Sequence, residues 1–351
     1  MDIYELENLR KNTLKEIDDL KPFVILGTFV IPSLVLIIFH YSGYDVKSAS
    51  IPIAFILCLP MIFYIADIFE LDKTPQIKYM LFARITPMIF FTIATNLAEK
   101  YPKFFYIVVI IFTIFSMNLI YKMCMKSIKK SKQKKYQKEF KIQSLKPYLA
   151  EFGYDYNEND LIENMYLRHS KIFRESVHYI ESGNDKICGK VDGIKFAFVD
   201  IALIDTIKGY DIYGVFFHAS FNKKANSNLF VISNDATNDN AKQFKKITMD
   251  NSEFNAKFSV YSNDMQNAMY ILSPAFMKRL LDLKRRLNFP ISVSFVGDKI
   301  YIFLDTGKDN FEPDIDKSVL HANPAFTIKR ELSHFLSIVK TLNLNTKIWK
   351  V

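Results

Sequence analysis

The chain has 351 residues, half of them hydrophobic and 24% charged, with a formal net charge of +9. That length allows two folded units, and the blend suits neither one soluble domain nor a wholly lipid-buried protein. Cys58, Cys124 and Cys188 are scattered and form no CxxC pair, which argues against a disulfide framework or a cysteine zinc site.

Residues 1–22 mix Arg10, Lys11, Lys15 and Lys21 with six acids, unlike the short basic start of a signal peptide. Ile3, Leu6, Leu9, Leu14, Ile17 and Leu20 recur at helical spacing, which predicts an amphipathic cytoplasmic helix. Residues 23–121 then carry four apolar runs, Phe23–Tyr41, Ile51–Phe69, Tyr79–Leu97 and Phe104–Tyr121. Each approaches the roughly 20 residues that cross a bilayer core as a helix. The expectation is therefore four transmembrane helices joined as hairpins. Pro32, Pro60 and Pro87 read as kinks that neighbouring helices accommodate. Asp67 and Arg84 lie near the same edge of adjacent runs, where they suit a salt bridge across the hairpin better than an ion path.

Residues 122–146 are a lysine collar: ten lysines and one acid, Glu139, a balance equal to the net charge of the whole chain. Basic residues near membrane spans favour the cytoplasmic side. One side would carry four in residues 1–22, Lys73, Lys78 and the collar's ten, against Lys47, Lys100 and Lys103 on the other. That asymmetry predicts a multi-pass protein of a bacterial inner membrane with both termini cytoplasmic. Lys126, Lys129, Lys130, Lys132, Lys134 and Lys135 are the candidates for contact with anionic lipid head groups, each contributing about 1 kcal/mol near such a surface. All the excess charge sits in the collar, so nucleic acid is not an expected partner.

Residues 147–351 read as a cytoplasmic α+β domain on a mainly antiparallel sheet. Phe140, Leu145 and Leu149 carry a helical face into it, with a bend expected at Pro147 and an end at Gly153. Asn159–Phe173 reads as a helix, and strands are expected at Ser176–Ser182, Lys186–Val191 and Ile194–Ile204, the last two joined by Asp192-Gly193. Asp211–Phe221 and Asn228–Ser233 suggest a second hairpin around 222–227, and Asp235–Gln243 a polar loop. Phe258–Ser262 reads as a strand and Asn263–Leu272 as a helix; Ser273 and Pro274 open another helix to about Leu287. A third hairpin pairs Pro290–Phe295 with Lys299–Asp305 about Gly297-Asp298, and Phe326–Leu342 closes as a helix.

The stretch "FSVYSNDMQNAMYILSPAFMKRLLDLK" (Phe258–Lys284), followed by "ISVSFVGDKIYIFL" and "FEP" (Phe311–Pro313), resembles a bacterial membrane-protein family known as domain of unknown function 3137. "YGVFFHASFNK" (Tyr213–Lys223) and "YQKEFK" (Tyr136–Lys141) are similar to the same pattern. The resemblance implies a cytoplasmic domain after amino-terminal spans, more usually two than four. It implies no activity.

The residues themselves give no catalytic signature. His40, His169, His178, His218, His321 and His334 show no metal-ligand spacing, and there is no GxSxG elbow, phosphate loop or GxGxxG. Asp200, Asp205 and His218 can be drawn as an acid–base group, but strand residues chosen freely nearly always permit that. Phe196, Phe198, Phe216, Phe217 and Phe221 read as core, and Lys278, Arg279, Lys284, Arg285 and Arg286 as a basic helix face. No catalytic, cofactor or metal residue is assigned. The expected role is a membrane-anchored binding or scaffold domain, with a protein partner or the membrane as its target. An enzyme with an unrecognised site and a small transporter or channel component are the alternatives.

Overall fold

The computed structural model describes residues 3–30, 102–160, 162–179, 184–191, 193–207, 209–236, 240–321, 324–342 and 344. The chain divides into two units, residues 8–136 and residues 1–7 with 137–351.

Helix α1 (Ile3–Ile25), which belongs to the first unit from Asn8 onward, continues as a short π-helical turn, Leu26–Val30, and helix α2 (Pro102–Ala150) begins in the same unit. The Thr28 hydroxyl donates to the Val24 carbonyl at 2.7 Å, the local back-bonding by which a threonine is accommodated inside a helix. The Phe29 and Tyr121 rings meet at 6.0 Å, and Met117 and Leu119 are buried.

Among the described residues no helix is long and apolar enough to cross a membrane. This corrects the expectation of a four-helix transmembrane region, and with it the multi-pass inner-membrane placement with cytoplasmic termini. The physical reason is that apolar periodicity has two solutions: a helix apolar on every side is as well explained by burial in protein as by lipid. Part of the Phe104–Tyr121 run takes the first, through Met117, Leu119 and the Tyr121 ring contact. Ile51–Phe69, Tyr79–Leu97 and the Asp67–Arg84 pair lie outside the described residues, as do Pro32, Pro60, Pro87 and most of Phe23–Tyr41.

The second unit holds an antiparallel sheet, as expected. Its strands are β1 (Asp155–Asn157), β2 (Val177–Tyr179), β3 (Asn184–Val191), β4 (Ile194–Asp205), β5 (Tyr210–Ser233), β6 (Lys246–Ile247), β7 (Phe258–Ser262) and β8 (Ile291–Asp305). The path runs β1-β3-β4-β5-β7-β6, with β2 beside β4 and β8 beside β5. Helices α3 (Asn164–Ser170), α4 (Ser252–Lys257), α5 (Met265–Ile271), α6 (Pro274–Leu287) and α7 (Pro324–Leu342) complete it. Asn251 and Asp264 cap α4 and α5 by accepting from the Phe254 and Asn267 amides. Pro147 is held within α2, which runs to Ala150; Gly153, at φ 70°, takes the left-handed turn that follows.

Of the two long strands, β8 forms the hairpin expected about Gly297-Asp298, whereas β5 departs from the hairpin expected around 222–227. The Asp305 amide donates to the Pro290 carbonyl at 3.0 Å. A straight strand of fifteen residues would span about 50 Å, so β8 doubles back, turning at Gly297 (φ 61°). β5 follows it round, pairing Gly214–Ser220 with Lys299–Asp305 and Leu229–Ile232 with Ser292–Phe295, with register shifts near Ala225. The two arms of β5 are therefore not a hairpin with each other: each has one edge on β8 and the other on β4 or β7. Gly214 sits where the contact is tightest, because a Cβ there would lie 2.1 Å from the Leu304 carbonyl oxygen.

Alternation along β4 builds two faces. Ala197, Val199, Ile201 and Leu203 join Phe216, Tyr301 and Phe303 under Ile162, Leu167 and Ile172. Phe196, Phe198 and Asp200 point to the opposite face, and there the structure gathers its buried charges.

Candidate functional site

The buried face at the end of α2 consists of Phe140, Ser144, Leu145 and Leu149. Lys141 falls within it, four residues before Leu145 and eight before Leu149, and is 3% exposed. Its Nζ donates to Asp185 Oδ2 at 2.8 Å and to Glu312 Oε1. The other Asp185 oxygen accepts from the Tyr156 hydroxyl. Asp185 reaches this position because the register of β3 shifts between Asn184 and Ile187, and the aspartate itself adopts φ 60°. β1 supplies Tyr156, opposite Ile187. Glu312 comes from the loop that follows β8.

The same loop closes over β4. The Asn310 backbone amide and Nδ2 both donate to the buried Asp200 carboxylate, the latter at 2.8 Å, and Nδ2 also reaches Thr306 Oγ1 at 2.9 Å. The Phe311 ring stands edge-on to Phe198 at 6.2 Å. Thus three segments, two of them 44 residues apart and the third more than a hundred residues beyond both, are joined by one ammonium and two carboxylates, with a carboxylate–amide contact alongside.

Burial sets the protonation chemistry. It raises the Glu312 carboxyl to about 7 against the pull of Lys141, helped by the charges of Asp185 and Asp309. Burial likewise raises Asp185, although Lys141 and Tyr156 oppose it, and lifts Asp200 well above the usual carboxylate range despite Asn310. Burial alone would lower Lys141, but the charges of Asp185 and Glu312 outweigh it and hold the ammonium above its ordinary value. The Tyr156 phenol is raised by burial and by Asp185 and stays neutral. With the Lys141 and Asp185 side chains 4% and 1% exposed, the cluster can hold and exchange a proton but gives a substrate no access to its polar atoms.

The sequence candidates are dispersed differently. Lys126, Lys129, Lys130, Lys134 and Lys135 are exposed on α2, whereas Lys132 is half-buried and pairs with Glu16 at 2.6 Å, holding that carboxyl below its usual range. Asp200 and His218 do not meet. His218 stands opposite Ala197 in the ladder, and Asp200, three residues on, faces the other side of the sheet. His218 instead stacks on Tyr166 at 4.1 Å, and burial lowers it to about 4. Asp205 accepts from Ser176 Oγ at 2.9 Å. The basic side of α6 is largely engaged within the domain: Lys284 pairs with Asp235, Arg285 with Asp282 and Glu253, and Arg286 donates to Thr341. Among the described residues no group of three or more His, Cys, Asp or Glu is placed to hold a metal ion. A depression of about 110 Å³ lies beside α3, lined by Leu167, Arg168, Phe173, Arg174, Glu175 and Val177.

In the sequence Lys141 is one of the ten collar lysines, and charge density does not set it apart. The signal that separates it was present: among the collar lysines it shares the four-residue spacing of Leu145 and Leu149. It also lies in "YQKEFK", as Glu312 lies in "FEP", so two segments singled out for family resemblance meet in one ion pair.

Residues 211–344 match a family model described as "Protein of unknown function (DUF3137)". This stretch of the chain is a DUF3137 domain. It includes Glu312, Asn310 and Phe311 but neither Lys141 nor Asp185, so the DUF3137 stretch donates one carboxylate to a cluster completed from outside it. No curated protein matches the chain. The crystal structure of the mycobacterial trehalose monomycolate transport factor A, TtfA, is similar at a TM-score of 0.32 and 8% identity, over 57% of this chain and 94% of that one. At that score the likeness carries no argument.

Proposed function

We propose that residues 137–351 are a binding or scaffold domain for a protein partner, docked on α5. The observation that carries this is a run of exposed apolar side chains within the DUF3137 stretch: Met265, Met269 and Tyr270 are 54%, 38% and 46% exposed. Met265 and Met269 are one turn apart and share a helix face. Methionine is unbranched and polarizable, so such a face adapts to an apolar partner. Lys223 supports the base of the patch, donating to the Tyr270 carbonyl with its ammonium 4.5 Å from the Tyr270 ring. A photo-crosslinking side chain at position 269 of the full chain is expected to give discrete heterologous adducts that Met265→Glu removes while the melting temperature holds. The same adducts from a control crosslinker at exposed Lys224, or none from position 269, would overturn the reading.

A second reading concerns the collar. Lys122, Lys126, Lys130 and Lys134 are exposed at strict four-residue spacing, a ridge suited to anionic lipid head groups. Flotation of the full chain with phosphatidylglycerol vesicles, but not with phosphatidylcholine vesicles, and loss of binding in high salt, are the expected results. Equal flotation with both would remove it.

A further inference from the structure

Asp185 and Phe311, the residue before Glu312, both hold left-handed backbone at φ 60°, a region that non-glycine residues seldom occupy. Strain of this kind persists only where the surroundings over-determine it, and it gathers at segments that switch. Here the surroundings are an ion cluster whose charges do not balance in every protonation state. One ammonium, Lys141, meets two carboxylates, Asp185 and Glu312, so ionising Glu312 sets a second negative charge beside the first at a site largely withdrawn from solvent.

The neighbouring groups deepen this asymmetry. Asp309, on the loop itself, acts on Asp185, Asp200 and Glu312, and Asp200 on β4 lies within electrostatic reach of Asp185. From β1, Tyr156 is neutral, and Glu158 beyond it is 3.6 Å from Lys138 of α2. Lys141 is the cation in contact with both cluster carboxylates.

We propose that the Lys141–Asp185–Glu312–Tyr156 cluster is a pH-sensitive latch, which holds the loop 306–313 on β4 while Glu312 is protonated and releases it when Glu312 ionises. Release would lift Phe311 from Phe198 and Asn310 from Asp200, uncovering an aromatic face. The direction follows from linkage. The Glu312 carboxyl is raised from 4.5 to about 7 in the closed state, so closure is fully favoured below 4.5 and is lost as pH rises through about 7. The inference is independent of the α5 reading.

Hydrogen exchange of the full chain, corrected for intrinsic rates, tests it. Protection of residues 306–313 is expected to fall about tenfold between pH 6 and pH 8, while β4 changes less. Glu312→Gln should keep the loop protected at both pH values. Asp185→Asn should move the fall to lower pH, because Lys141 is then left to Glu312 alone, and this variant decides the matter if Glu312→Gln does not fold. Loop protection that is independent of pH in the parent protein, or a pH dependence unchanged in the variants, would overturn the latch.

Discussion

Helix α2 puts one residue type in two environments. Lys122, Lys126, Lys130 and Lys134 form an exposed ridge, while Lys141, less than two turns further on, is sealed between two carboxylates. Water reaches the first group and screens its charges, so each of these lysines is expected to contribute little to stability. The second has exchanged water for fixed partners, and removing it leaves carboxylates buried without their cation. Charge density along a sequence therefore does not say which charge organises the fold; position relative to the apolar face does.

That contrast can be broken most forcefully at Lys141. Lys141→Ala is expected to cost about 3–5 kcal/mol, the range for removing one partner of a buried pair, whereas Lys130→Ala should stay within about 0.5 kcal/mol. Urea unfolding of both, side by side, checks the difference; equal costs would erase the distinction. Next is the pH response. Raised from 4.5 to about 7, Glu312 makes the folded state lose stability as pH climbs between those values, by at most about 3 kcal/mol. Glu312→Gln should flatten that part of the curve in urea titrations from pH 5 to 8.

A smaller effect is expected from Tyr156→Phe, which takes a hydrogen bond from Asp185: about 1–3 kcal/mol, with Glu312 still titrating. Smallest in stability is the quadruple change of Lys122, Lys126, Lys130 and Lys134 to Gln. It should leave the melting temperature almost unmoved yet weaken binding to phosphatidylglycerol vesicles, measured by flotation at low salt.

Much of the sheet domain was legible. Period-two runs located β3, β4 and β7, and Ser273-Pro274 located the start of α6, although the Ser273 side chain makes no capping hydrogen bond. Local signals failed where pairing is non-local. Asn222–Ser227 looks like a hairpin loop because turn residues separate two apolar runs, and nothing in that window says that residues 291–305 will lie between the arms. The cluster was hidden for the same reason. Lys141, Asp185 and Glu312 carry no shared spacing, and only the four-residue interval from Lys141 to Leu145 and Leu149 marked one member as inward. The membrane expectation failed differently: hydropathy measures how apolar a run is, and apolar side chains such as Met117 and Leu119 can be buried by protein instead of lipid.

The embrace of β8 by β5 also dictates an order of events. Both arms of β5 present an open edge until a segment about sixty residues downstream has been synthesised. During translation the nascent sheet must wait, half-zipped, for its central pair of strands. Mutations that slow delivery of that insert should therefore lower the yield of native protein more than they lower its final stability.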